Sequence, residues 1–327
     1  MYQRFYGLTQ LPFELTPNPK FLFLTPGHRE ALSTLHYAVR SGKSLTVLLG
    51  EAGTGKTTLL RTVLESEEYS HIRWVSLNNP VLTRADFIRT LAARFALGPE
   101  AAGSKARFLD AFERVLRERR SRGETSVLVV DEAQSLSYEL LEELRLLANI
   151  ETQTEKLLLL ILAGQPEFAL RLNQSGLRQL KQRVALRCEI ARFDLAETAA
   201  YIASRVSTAG GDSARLFSRE AVLAIHQCSR GIPRTINVIC DNALLGGFGV
   251  GRQPVGRQIV MDVVGDFDLG SERTPVVPPA QADPPPAPET TTRDASQDAG
   301  DHETSSHGLF EHYVSPRRFA FFGTTGR

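Results

Sequence analysis

The apolar run SLTVLL leads directly into GEAGTGKTT, residues 50–58, and that turn leads into LLRTVLES. A strand-like run, a glycine-rich turn and a helix-like run in this order leave few folds open, because the turn must carry the chain over the end of a strand. Gly50, Gly55, Lys56 and Thr57 fill the pattern GxxxxGK[ST], with Glu51, Ala52, Gly53 and Thr54 inside it and Thr58 after it. Glycines let successive backbone N–H groups curl toward one anion, and the helix that follows adds its positive N-terminal dipole. In such a cradle Lys56 reaches the β- and γ-phosphates of a nucleotide and the Thr57 hydroxyl ligates magnesium, so ATP and Mg2+ are the expected ligands. A plain strand-turn-helix connection is the alternative.

Other apolar runs repeat the pattern. IRWVSL (72–77), SVLVVD (126–131), LLLLILAG (157–164) and VALRCEI (184–190) join LTVLLG (45–50) as expected strands, separated by amphipathic helical stretches. Strands that are nearly all apolar are what a parallel sheet covered on both faces requires. The expected fold class is α/β, a doubly wound parallel five-stranded sheet over residues 1–193. After Asp194 the pattern is helical: LAETAAYIASRVSTAGG ends on a glycine pair, FSREAVLAIHQCSRG begins at a serine cap, and IPRTINVICDNALLGGF carries an early proline. Residues 194–270 are expected to form a small helical second domain. From 271 to 327 Pro, Ser, Thr and acidic residues replace the large aliphatics, and such a composition buries too little apolar surface to offset chain entropy, so a disordered Pro-rich tail is expected. Its end regains Phe310, Tyr313, Phe319, Phe321 and Phe322 beside Arg317 and Arg318, either as a docking peptide or as an unselected end.

Composition narrows the partners. The 38 Lys and Arg residues against 37 Asp and Glu leave a net charge of +1, which supplies no global field for nucleic acid or an anionic membrane. Cys188, Cys228 and Cys240 lie far apart with no CxxC spacing, which argues against a zinc or redox motif and fits a reducing compartment. The N-terminus MYQRFYGLTQLPF lacks a cationic segment followed by an apolar one, and no run approaches the roughly 18 apolar residues of a membrane span. A cytoplasmic location is expected, with membrane proximity only through a partner.

Hydrolysis needs a second group of residues, and SVLVVDEAQ offers it at the end of another apolar strand. There Asp131 would hold magnesium and Glu132 would polarise the attacking water; alternatively, both acids simply begin a helix, where its dipole favours them. LLLLILAGQPE ends at Gln165, at the strand end where doubly wound folds bind ligands, so its amide can meet the γ-phosphate or the water, or merely start a helix. Arg178 and Arg183 in LRQLKQRVAL and Arg234 in SRGIPRTINVICDNAL are candidates for charge stabilisation of a transferring phosphoryl group.

These motifs, in this order, resemble the AAA+ ATPases, and more narrowly the general secretion pathway protein A (ExeA-type) family and the related ATPases of exosortase and exopolysaccharide loci. The resemblance covers about residues 1–268 and rests on FYGLTQLPFELTPNPKFLFLTPGHREAL, GEAGTGKTTLLR, VLVVDEAQ, LLILAGQPE, LRQLKQRV and GIPRTINVICDNALL. It implies a nucleotide-binding domain over 1–193 and a helical lid over 194–270. It also implies Gln165 at the sensor 1 position, Arg234 at the sensor 2 position, and Arg183 as an arginine finger acting across a subunit boundary, with Arg178 as its rival. FELTPNPKFLFLTPGHREAL, including Phe13 and Pro17, resembles the segment that packs against adenine; a plain cap over the sheet edge is the alternative. The implied function is Mg-dependent ATP hydrolysis by a homo-oligomer that drives or regulates a secretion or exopolysaccharide export machine. Longer members continue into a membrane span and a peptidoglycan-binding domain that this sequence does not have, so service to the envelope is expected to run through a protein partner. Transposon target-selection ATPases share much of the core and imply an alternative, a DNA-bound regulator. The basic cluster available for that role is RVLRERRSRGE, with Arg114, Arg117, Arg119, Arg120 and Arg122, although cations at a helix C-terminus are also what its dipole favours. A slow, nucleotide-gated switch is a third reading.

Overall fold

Side chains alternate across a strand, so a strand covered on both sides feeds two cores at once. In β1 (Leu45–Gly50) Leu45, Val47 and Leu49 enter one core and Leu48 enters the other. β3 (Thr125–Val130) and β4 (Leu158–Gly164) divide in the same way: Leu128, Val130, Leu158, Leu160 and Leu162 face the first core, and Val127, Val129, Leu159 and Ile161 the second. The computed structural model describes residues 1–268 except Pro17, Asn79 and Pro80. Expectations for the tail at 271–327, for its aromatic end and for Pro17 lie outside the described residues.

β2 (Ile72–Leu77) and β5 (Leu186–Ile190) complete a sheet of order β2-β3-β4-β1-β5 in which every pairing is parallel. The expected doubly wound five-stranded sheet is thus the observed one. β5 starts two residues later than expected because α8 (Arg178–Arg183) runs up to Arg183 and the Val184 N–H still bonds back to Lys181 O at 3.1 Å.

The helices cover both faces. α1 (Tyr2–Tyr6) and α2 (Pro26–Arg40) precede the sheet, and α3 (Lys56–Leu64) follows β1. α4 (Arg84–Arg94) and α5 (Lys105–Ser121) lie between β2 and β3; α6 (Tyr138–Leu147) follows β3 and α7 (Pro166–Leu172) follows β4. Leu35 of α2 and Leu59 of α3 pack on one face, whereas Phe87, Phe112, Leu144, Phe168 and Leu180 from α4 to α8 pack on the other.

Beyond the sheet come α9 (Leu195–Thr208), α10 (Ser213–Leu216), α11 (Arg219–Ser229), α12 (Pro233–Gly249) and α13 (Arg257–Asp266). Their starts carry the signals that the sequence offers: a reciprocal capping box between Asp194 and Glu197, the Ser218 cap and Pro233 in the first turn. Their core differs from the expected division in one respect. Tyr2, Tyr6, Leu8, Phe13 and Phe21 pack with Ile202, Val206, Ile236, Ile239 and Val260, so these five side chains share the core of the helical domain rather than that of the sheet. Polar contacts fix the same attachment, with the Tyr2 hydroxyl donating to Asp241 and the Thr9 N–H to Ala209 O at 2.9 Å. Gly231 joins sheet and lid: its φ is 72°, and a Cβ there would lie 2.0 Å from Phe193 O.

Candidate nucleotide site

At the C-terminal edge of the sheet a cleft of about 360 Å³ opens between the turn after β1, the N-terminal segment and the start of α12. It is lined by Gly53 to Leu59, His28, Phe21, Glu132, Tyr201 and Arg234, among others. The turn is held by its own bonds. Thr54 Oγ1 donates to Glu51 O at 2.8 Å, and Gly53 (φ 83°) lies so close to α12 that a Cβ there would be 2.7 Å from Arg234 Cβ. The Arg234 N–H donates to Gly53 O at 3.2 Å, which seats the lid helix directly on the turn.

Lys56 opens α3 and is 4% exposed; its Nζ donates to Gly50 O at 2.7 Å and to Glu51 O at 3.0 Å. Burial lowers its ammonium below the ordinary lysine value, opposed by the charges of Glu132, Asp131 and Glu51. The Thr57 hydroxyl donates to Asp131 Oδ2 at 2.5 Å, bringing the first turn of α3 against the end of β3. A hydroxyl beside a carboxylate is a hard-oxygen donor set that suits Mg2+, which keeps waters and takes substrate phosphates as its other ligands. Among the described residues there is no group of three or more His, Cys, Asp or Glu that could hold a metal ion.

Glu132 sits in the left-handed region at φ 55°. Its Oε2 accepts from Gln134 Nε2 at 2.6 Å and from Gln165 Nε2 at 3.2 Å, and the Gln165 N–H donates to Gln134 Oε1 at 3.1 Å. Glu132 and Gln165 do stand at helix starts, but neither side chain caps its helix. Gln165 instead reaches across to Glu132. Two contributors have no part in the familiar phosphate-turn pattern. Gln134 lies two residues past Glu132 in DEAQ, and its backbone carbonyl accepts from Arg171 at 2.8 Å. His28, in TPGHREAL, is buried beneath the turn with Nε2 at 3.1 Å from Thr54 O. The sequence offered only spacing for the first and no signal for the second.

Arg183 and Arg178 are exposed on α8 and neither lines this chain's cleft. Arg183 precedes β5, whose first residue pairs with Thr46 near the start of β1, so it lies at the sheet edge opposite the turn, roughly 16 Å of strand away. Glu51 is paired with Arg192, Oε1 to NH2 at 2.7 Å. Phe13 is 1% exposed and packs with the lid core.

A family model described as an AAA domain matches residues 39–172. General secretion pathway protein A of Aeromonas hydrophila is 38% identical over 272 residues, covering 83% of this chain; the chain spans about half of that relative's length, 48%. Among solved structures, Cdc6p from Pyrobaculum aerophilum superposes with a TM-score of 0.61 at 20% identity, covering 78% of this chain and 70% of that one. ORC2 from Aeropyrum pernix in its ADP form gives 0.59 at 16% identity, with 78% and 72% covered. At such identities the likeness is one of fold. The β1 turn, the Asp131 strand end and the helical lid stand together in that fold, and with the match over residues 39–172 and the 38% identity they place this chain among the AAA+ ATPases of the general secretion pathway protein A type.

Proposed function

We propose that this chain is a Mg-dependent ATPase that works as a homo-oligomer and drives or regulates a secretion or exopolysaccharide export machine through a protein partner. The observation that carries the enzymatic part is the convergence of Lys56, Thr57, Glu132 and Arg234 on one cleft. The secretion context rests on the name of the Aeromonas relative, of which this chain spans 48%. Among the described residues no helix is long and apolar enough to cross a membrane; we propose a cytoplasmic location, with contact to the envelope made by the partner.

The roles follow from chemistry. Backbone N–H groups of Gly53, Gly55 and Lys56 face the β-phosphate, and the Lys56 ammonium exchanges a carbonyl of its own turn for a γ-phosphate oxygen. Thr57 and Asp131 would hold magnesium, which would supply charge neutralisation at the phosphates. A water oxygen attacks the γ-phosphorus as Glu132 takes its proton, and the bond to the ADP oxygen breaks. Gln165 and Gln134 aim the Glu132 carboxylate, and Arg234 stabilises charge from the lid side. Lys56→Ala should abolish nucleotide binding, whereas Glu132→Gln should bind ATP and release no phosphate. Filter binding and a phosphate-release assay separate the two, and full turnover by Glu132→Gln would remove Glu132 from the mechanism.

The DNA-regulator reading has less support. Arg117, Arg120 and Arg122 are engaged with Glu113, Glu155 and Glu118, and Arg119 lies over the Phe95 ring at 5.1 Å.

A further inference from the structure

His28 is the third residue of α2, 5% exposed, and its ring meets two neighbours. Nε2 lies 3.1 Å from Thr54 O, an atom that can only accept, so Nε2 carries the proton. Nδ1 lies 2.8 Å from Thr25 Oγ1, the N-cap hydroxyl of α2, which also accepts from the His28 N–H at 3.3 Å. With Nε2 protonated, the Thr25 hydroxyl donates to Nδ1 and fixes the tautomer. Burial, which lowers the imidazole below the ordinary histidine value, favours this neutral form. The result is a directed relay from the cap of α2 through the ring to a carbonyl of the phosphate turn.

A trans peptide points its C=O and its N–H in opposite directions. A donor that holds Thr54 O on the α2 side therefore turns the Gly55 N–H the other way. The ring lies close under this peptide, 3.6 Å from where a Cβ of Gly55 would stand, and Gly55 itself is at φ 98°, a conformation with little local preference to maintain it. We propose that His28 is a positioning residue of the phosphate turn, orienting the Thr54–Gly55 peptide so that the Gly55 N–H donates to the β-phosphate of a bound nucleoside diphosphate or triphosphate. This inference rests on the phosphate-binding reading above and adds to it a residue outside the glycine-rich pattern, reached from a different helix.

The test separates the ring from its N–H. His28→Phe keeps an aromatic ring edge-on to Phe193, whose centroid is 5.7 Å away, but donates nothing. His28→Gln replaces the ring with an amide whose N–H reaches about as far as Nε2. ADP affinity, measured by calorimetry, avoids any dependence on turnover. His28→Phe, which leaves Thr54 O and the Thr25 hydroxyl without the ring, should fold with a lowered melting temperature and, measured well below that temperature, bind ADP about three- to tenfold more weakly. His28→Gln should recover most of that affinity, and AMP, which has no β-phosphate, should bind both variants as it binds the unaltered protein. An ADP affinity within twofold of normal for a folded His28→Phe overturns the proposal, as does an equal loss of AMP affinity. Lys56→Ala serves as the control: if it too binds ADP normally, the phosphate-binding reading has failed rather than the role of His28.

Discussion

Glu132 combines a carboxylate with a backbone conformation that costs a residue with a Cβ about 1 kcal/mol or more. That conformation aims the side chain across the strand ends, where Gln134 and Gln165 hold the same oxygen, Oε2. The second carboxylate oxygen is then the one to take a proton from water. Gln165→Ala removes one charge-assisted hydrogen bond, worth about 1.5–3 kcal/mol. If that bond orients Glu132 in the transition state, kcat should fall about 10- to 100-fold while KM moves by less than about threefold. Steady-state kinetics would decide it, since a rise in KM with kcat intact would place Gln165 in ground-state binding instead.

Among the elements, α5 carries the basic cluster singled out in the sequence for a polyanion. Its last turns carry arginines where the helix dipole favours cations, and Glu113, Glu118 and Glu155 neutralise three of them. Exposed pairs of this kind are weak, but each must open before its arginine meets a phosphate. Duplex DNA should therefore bind weakly, with log affinity falling by fewer than about three units per tenfold rise in salt. Fluorescence anisotropy at about 50 and 200 mM salt tests this; tight, ATP-dependent binding that disappears in the triple variant Arg117→Ala, Arg119→Ala, Arg120→Ala would favour the DNA reading. The strands were legible in the sequence because burial on both faces leaves β1, β3 and β4 nearly all apolar, with Thr46, Thr125 and Ser126 as their polar residues. Gly50 to Thr58, Asp131 and Glu132 were equally legible, as local patterns at strand ends. The attachment of Tyr2, Tyr6, Leu8, Phe13 and Phe21 was not, because Phe13 and Tyr2 look like any aromatic residue until their partners, about two hundred positions away, are in place. His28 escaped for a related reason: its partner is a backbone carbonyl, which has no sequence signature.

For the whole molecule the position of Arg183 matters most: if it acts on a γ-phosphate, its place at the sheet edge opposite its own cleft requires that phosphate to sit in a neighbouring copy. An arginine supplied in this way contributes on the order of 10³ to 10⁵ in rate. Arg183→Ala should bind ATP normally and hydrolyse it slowly. Mixed with Lys56→Ala protein, itself inactive, it should regain part of the activity, because some interfaces then pair an intact phosphate turn with an intact arginine. If the two variants co-assemble and nothing returns, Arg183 does not act between subunits and Arg178 is the next to test. Within one chain, the tie between Tyr2 and Asp241, 239 positions apart, bears on synthesis. A nascent chain that has just released the sheet from the ribosome already owns its phosphate turn, but the segment that walls the cleft has no core to join until α12 emerges. The cleft is thus walled on both sides only once Pro233–Gly249 has emerged, and a chain that stops within the sheet carries the phosphate turn without its opposite wall.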